Sequence, residues 1–286
     1  MTAMSLDRVP LRIAQVSDIH CGTITFEAKL MASVVERTNR MRPDLVVMVG
    51  DLTAEGYEWQ FEEAAEWIGQ FEAPTLVVPG NHDGRNIGHT HYERLFGERY
   101  SSKRIAFDDE RAARLNATGV TIVGVDSSQP DQNAGRIGRE WYPWIREQYG
   151  EPGDLKLFVL HHHLVSVPAT GRERNTIVDA GDLLQVLVDL ELDVVLSGHK
   201  HVPFFWGLNG MLLCNSATAS TRRVRGLTPP TFNELVIDAS TIKAYTHYED
   251  GRRGFSMVRT RADRASIRDS LHLTAAFRAA NQTLTD

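Results

Sequence analysis

Six short apolar, β-branched runs at residues 11–16, 45–49, 75–78, 120–125, 157–160 and 194–196 constrain the fold of this chain more than any other feature. Each is short enough to be a buried strand. Between several of them lie stretches with helical spacing, at 26–41, 58–71, 139–149 and 180–190. Such alternation specifies βαβ units. From Pro203 onward strand candidates at 204–208, 211–214, 232–237 and 242–247 follow one another without long helices, and Leu208-Asn209-Gly210 carries the Asn-Gly hairpin signal. This half is expected to form a second, largely antiparallel sheet packed on the first. The fold class is α/β, with two packed mixed β-sheets flanked by helices.

No Gly/Ser/Pro linker divides the chain, and 286 residues at 42% hydrophobic suffice for one substantial core. One domain is expected over 1–250, followed by an extension over 251–286. That extension begins Arg-rich and then spaces Ile267, Leu271 and Phe277 for one helical face, suiting a docked tail or a homo-oligomer contact.

The chemistry is carried by the acidic and histidine residues that follow the strands. Asp18-x-His20, Gly50-Asp51, Gly80-Asn81-His82-Asp83, His161-His162-His163 and Gly198-His199-Lys200-His201 each come directly after a predicted strand, and seven of the eleven histidines fall in these five places. Singly, each piece reads as an ordinary turn or helix cap. Together they would meet in the crevice at the carboxyl ends of neighbouring strands, where α/β proteins place their sites. Imidazole nitrogens mixed with carboxylate and amide oxygens suit Mn²⁺, Fe²⁺, Co²⁺ or Zn²⁺. Asp18, His20, Asp51, Asn81, one clustered histidine, His199 and His201 are too many ligands for one tetrahedral ion. Two divalent metal ions per chain, Mn or Fe first and Zn or Co as alternatives, match the number. Small Gly50, Gly80 and Gly198 leave room for the turns that aim the next side chain inward.

In order and local spelling these motifs resemble the calcineurin-like metallophosphoesterase family, with its pattern D-x-H, G-D, G-N-H-D/E, H and G-H-x-H, over about residues 13–201. The resemblance implies that Asp18, His20 and His201 hold one metal, that Asn81, His199 and one of the triple histidines hold the other, and that Asp51 bridges both. Placing Leu164 in the family's proline slot makes His162 the ligand, with His161 as the alternative and His163 lining the pocket. The metals would share a water, lower its pKa and present hydroxide in line with the P–O bond. His82 would then serve as the catalytic acid or hydrogen-bond donor rather than as a ligand. Many relatives carry an acidic residue three positions after the bridging Asp to orient that histidine; Ala54 stands there in this chain, leaving Asp83 and Glu55 as nearby substitutes.

The spelling is similar to the bacterial branch of cyclic-nucleotide phosphodiesterases and glycerophosphodiesterases, which implies a small phosphodiester substrate. A phosphomonoesterase, a pyrophosphatase and a metal-binding scaffold are the alternatives. Arg85, and Arg222 and Arg223 within the run 220–225, are candidate phosphate-binding cations. A net charge of −6 argues against polymeric nucleic acid as partner, although metal ions would still draw in a small anion. Cys21, beside a ligand, reads as small-residue packing. With Cys214 it gives too few cysteines for a disulfide framework, and the opening residues lack the apolar run of a signal peptide, so the expected location is the cytoplasm, with no membrane span.

Overall fold

A computed structural model of the chain describes residues 10–168, 170, 175–224 and 228–261. The first sheet takes its parallel core from β1 (Leu11–Val16), β2 (Leu45–Val49) and β3 (Thr75–Val78), connected through α1 (Ala28–Met41) and α2 (Glu58–Ile68). After α3 (Gly88–Phe96), the second sheet is built from β4 (Ser101–Ala106), β5 (Gly119–Gly124), β6 (Leu155–Val159) and β7 (Val194–Ser197), with α4 (Asp109–Leu115), α5 (Tyr142–Gln148) and α6 (Ala180–Asp189) between them.

The remaining strands are β8 (Phe204–Leu208), β9 (Met211–Asn215), β10 (Thr231–Ile237), β11 (Thr241–Tyr248) and β12 (Arg253–Thr260). They do not form a sheet of their own. β9 pairs in parallel with β7 and carries β8 at the edge of the second sheet, whereas β10 pairs antiparallel with β1 and extends the first sheet through β11 and β12. Each sheet is therefore mixed and six-stranded, in the orders β12-β11-β10-β1-β2-β3 and β4-β5-β6-β7-β9-β8. The expectation of a separate antiparallel sheet fails because both sheets had unpaired edges that these strands satisfy.

Strand periodicity sorts the core into layers. Leu45, Val47 and Val49 of β2 face Leu157 and Val159 of β6 in the interior between the sheets. Val46 and Met48 point the other way, against Met31 and Val35 of α1 and Phe61 of α2. On the far side, Phe158 and Val195 pack on Ile145 of α5 and Leu183 and Leu187 of α6. Helices on both outer faces explain why these strands read as continuous apolar runs. The Asn209-Gly210 turn joins β8 to β9 with φ of 44° and 75°, the left-handed pair that a two-residue hairpin uses.

β4, with alternating half-buried and exposed residues, and the charged α4, capped by Asp108 on the Arg111 N–H, carry too little apolar signal to stand out in the sequence. β12 pairs with β11 along its length, so the sheet runs past the division expected after residue 250. Ile267, Leu271 and Phe277 lie outside the described residues.

Candidate metal centre

The turns after β1, β2, β3, β6 and β7 open on one end of the sandwich and bring the five motifs together. Their sharpness shows in the backbone: Asp18, His20, Asp51, His199 and His201 all have φ between 49° and 81°. Non-glycine residues rarely hold such angles unless the surroundings impose them, and they cluster at functional sites. Two glycines permit the close approach. A Cβ on Gly80 would lie 2.3 Å from Asp51 N, and one on Gly198 would lie 2.0 Å from Ser17 Oγ.

Asp51 is the hinge of the arrangement. Its Oδ1 accepts the His82 N–H at 2.9 Å, while Oδ2 lies 3.3 Å from His161 Nε2 and 3.8 Å from His20 Nε2. On one side Asp18, His20 and His201 bring ligand-type atoms within 4.8 Å of one another; on the other, Asp51, His161 and His199 do the same. Asp18 is fixed through Oδ2 by the His199 N–H at 3.1 Å, leaving Oδ1 3.3 Å from His201 Nε2. His201 gives its Nδ1–H to the Arg223 carbonyl and His161 its Nδ1–H to that of Val49, at 2.6 and 2.8 Å. Both rings thereby turn Nε2 inward, the arrangement that orients metal-binding histidines.

The electrostatics of the cluster favour positive charge beside its two carboxylates. Burial drives Asp18 and Asp51 up, yet neighbouring imidazoles outweigh it and hold both carboxyls below the ordinary value. Burial pulls His161 down, but the Asp51 charge and contact carry it up to about 9. Burial takes His20 down to about 3 despite Asp51, so its lone pair is available. Asp18 Oδ1, Asn81 Oδ1, His161 Nε2 and both ring nitrogens of His199 are buried without a hydrogen-bond partner. Unpartnered polar atoms of this kind are costly inside a protein. They are the donor atoms that a pair of divalent ions requires, so the residues fit such ions.

Of the three adjacent histidines, His161 is the one whose ligand-type atom lies with those of Asp51 and His199. The proline-slot register pointed to His162, but that ring is turned away: the Ser127 hydroxyl donates to Nδ1 at 2.8 Å, and Nε2 donates to the Asn133 carbonyl at 3.3 Å. With both nitrogens occupied, His162 stands behind His199, ring centroids 4.4 Å apart. Burial holds its imidazole down at about 3. His163, expected at the pocket wall, is fully buried and donates from Nε2 to the Gly198 carbonyl at 2.6 Å. Cys21 packs in the core, where burial pushes its thiol up.

His82 lines a cavity of about 550 Å³ together with Asp51, Asn81, Arg85, Asn133 and Arg223. Its Nδ1 lies 2.6 Å from the Ala54 carbonyl and its Nε2 3.3 Å from Arg85 Nη2. A guanidinium only donates, so these partners assign the proton to Nδ1 and a lone pair to Nε2. The group that orients His82 is thus a main-chain oxygen, neither Asp83 nor Glu55. Asp83 instead accepts from the Leu52, Thr53 and Gly80 N–H groups at 2.8–3.0 Å, tying the β2 and β3 turns together. Burial and the Asp51 charge push its carboxyl up to about 6. Proximity also groups His82 with His20 and Asp51 as a third set of ligand-type atoms, but here both ring nitrogens already have partners.

Of the three candidate arginines, Arg85 and Arg223 line the cavity. Arg222 does not: it is drawn outward into pairs with Glu27 and Glu249 at 2.9 and 2.8 Å. Arg225 lies outside the described residues. Sequence reading missed Asn133, whose Oδ1 accepts from Asn81 Nδ2 at 3.3 Å while Asn81 Oδ1 stays buried and unpartnered. No motif marks it, because it sits in the long connection after β5.

Known proteins share this architecture. Over 213 residues the chain is 28% identical to a probable cyclic nucleotide phosphodiesterase from Synechococcus sp., an alignment covering 70% of this chain and 77% of that protein. It is 23% identical over 257 residues to a probable glycerophosphodiester phosphodiesterase GpdQ from Arcobacter nitrofigilis, covering 85% and 90%. A dimetal phosphatase from Danio rerio shares the fold with a TM-score of 0.63 at 13% identity, over 87% of this chain and 98% of that one. The profile of the calcineurin-like phosphoesterases matches residues 11–203, a span containing all five histidine and acidic motifs, and the chain belongs to that family of metal-dependent phosphoesterases.

Proposed function

We propose that this protein is a dinuclear phosphodiesterase acting on small phosphodiesters such as cyclic nucleotides. Asp18, His20 and His201 would hold one divalent ion, Asn81, His161 and His199 the other, and Asp51 both. The observation that carries the proposal is the set of unpartnered buried donor atoms on either side of a single carboxylate, at the wall of a cavity. Imidazole and oxygen donors favour Mn or Fe, with Zn and Co able to substitute. When bound, such ions supply Lewis-acid charge to the phosphoryl group and an activated water.

The chain's own residues do the rest. Arg85 binds a phosphoryl oxygen by giving up its Nη2 contact to His82. His82, held through its Nδ1–H by the Ala54 carbonyl, takes up a proton from solvent at the freed Nε2 and, as the imidazolium, gives it to the leaving oxygen. Asn133 accepts from the Asn81 amide nitrogen and leaves the amide oxygen unpartnered. Similarity to sequences named as diesterases supports diesters over monoesters.

The test is a screen of purified protein with Mn²⁺ against cyclic nucleotides, bis(p-nitrophenyl) phosphate, glycerophosphodiesters and monoesters. Diesters should turn over fastest, and a chelator should stop the reaction reversibly. Unchanged turnover after exhaustive metal removal would contradict the metal roles, and no turnover of any ester would leave a binding scaffold.

A further inference from the structure

We propose that Glu55 selects for phosphoryl groups carrying one negative charge, by neutralising Arg85 at the cavity wall. This inference rests on the phosphoesterase reading of the cavity and adds a reason for its substrate class. Glu55 and Arg85 both line the cavity, with Glu55 Oε1 2.7 Å from Arg85 Nη1. The other partners of the guanidinium are the Ala54 carbonyl at 3.2 Å from Nη1, and His82 Nε2 and Asn133 Oδ1 at 3.3 and 3.4 Å from Nη2. Among them Glu55 is the sole carboxylate. Arg85 therefore meets an incoming phosphate with its charge already balanced.

The Glu55 side chain is half exposed, but its main chain is fixed. Its N–H donates to Oε1 of buried Gln60 at 2.8 Å, and its carbonyl accepts from Asn86 Nδ2 at 2.7 Å. The next residue, Gly56, has φ of 71°, and a Cβ there would lie 2.4 Å from the Arg85 carbonyl. The turn is thus locked against the segment that carries Arg85. At neutral pH a diester bears one charge and a monoester nearly two. The Coulomb energy scales with ligand charge, so removing the Glu55 charge favours a dianion twice as strongly as a monoanion.

Glu55→Gln keeps an acceptor for Arg85 and removes only the charge. At about pH 8, where monoesters are dianionic, the kcat/KM ratio of p-nitrophenyl phosphate to bis(p-nitrophenyl) phosphate should rise by about five- to thirtyfold. Calorimetric affinity for methyl phosphate relative to dimethyl phosphate should rise in the same range. Glu27→Gln, which removes an equal charge paired to Arg222 away from the cavity lining, should leave both ratios within about twofold. Unchanged ratios in Glu55→Gln, or an equal rise in Glu27→Gln, would overturn the proposal. A native protein that hydrolyses no diester would end the diesterase reading, and the binding ratios would still decide the role of Glu55.

Discussion

The two ends of the same strands treat buried polar residues in opposite ways. Asp44, Asp154 and Asp193 immediately precede β2, β6 and β7, whereas Asp51, His161 and His199 follow them. All six are less than a tenth exposed. At the leading end the partners are supplied by the chain. Asp44 takes the Arg12 N–H on Oδ2 at 2.8 Å and meets the Arg111 guanidinium with Oδ1 at 2.8 Å, and Asp193 takes the Lys156 N–H at 3.0 Å. Asp154 receives the Arg104 guanidinium and the Thr118 and Thr121 hydroxyls, each within 2.8 Å at the nearest contact. At the trailing end, His161 Nε2 and both His199 nitrogens have no partner. Burial therefore does not distinguish the two ends; what marks the trailing end is the clustering of unpartnered ligand-type atoms around one carboxylate. A fold keeps such a deficit where a ligand makes it good.

The largest test of this contrast is Asp51→Ala, which removes the carboxylate shared by both ligand sets. Metal content should fall, and activity should drop by at least about a thousandfold, since metal ions contribute several kcal/mol to such reactions. Full metal content by elemental analysis, with activity retained, would break the contrast at its centre.

His82→Ala should keep both metals and lower kcat by about 10²–10⁴, the range of general acid–base assistance. The deficit should shrink for p-nitrophenolate leaving groups, which need no proton. Loss of metal would move His82 into the ligand shell, and an equal deficit for good and poor leaving groups would make it a phosphoryl-oxygen donor.

Adjacent histidines sharpen the comparison further. His161→Ala should lose one metal per chain, whereas His162→Ala should keep both and lose about 1–3 kcal/mol of stability through the partners it strands. Ion counting and thermal melts, with and without chelator, separate the two. Metal loss confined to His162→Ala would restore the proline-slot register.

The smallest effect belongs to the leading end. Asp154→Asn should leave metal binding and turnover unchanged while costing about 1–3 kcal/mol at neutral pH. Burial raises the Asp154 carboxyl, but bonds from Arg104, Thr118 and Thr121 outweigh it and hold it below the ordinary aspartate value. Its stabilisation is then present above the unfolded value of about 4 and lost as pH falls through the lower folded one. Denaturant melts should show the variant converging on the native protein in acid. A deficit that persists below both values would assign the loss to packing.

Local information made much of the site legible. Asp18, His20, Asp51, Asn81, His199 and His201 each sit two to four residues beyond a strand, and strand polarity alone sends those ends to one crevice. The choice between His161 and His162 was not legible from that information. Successive side chains point in different directions, and which one faces the cluster depends on Ser127 and Asn133, more than 25 residues away in sequence. The orienting group of His82 escaped for a different reason: the Ala54 carbonyl belongs to the backbone, which every residue carries, so no residue type announces it.

For the fold, the sequence by itself determined every described strand except β4 and β12, the helices over α1, α2 and α6, and the β8–β9 hairpin, because apolar period and turn chemistry act over a few residues. Only the tertiary structure decided that β8 and β9 close one sheet while β10 to β12 extend the other. That partition pairs β10 with β1 across more than 200 residues of chain. It is set by which sheet edge remains open once both layers pack, a property of the assembled sandwich rather than of any segment.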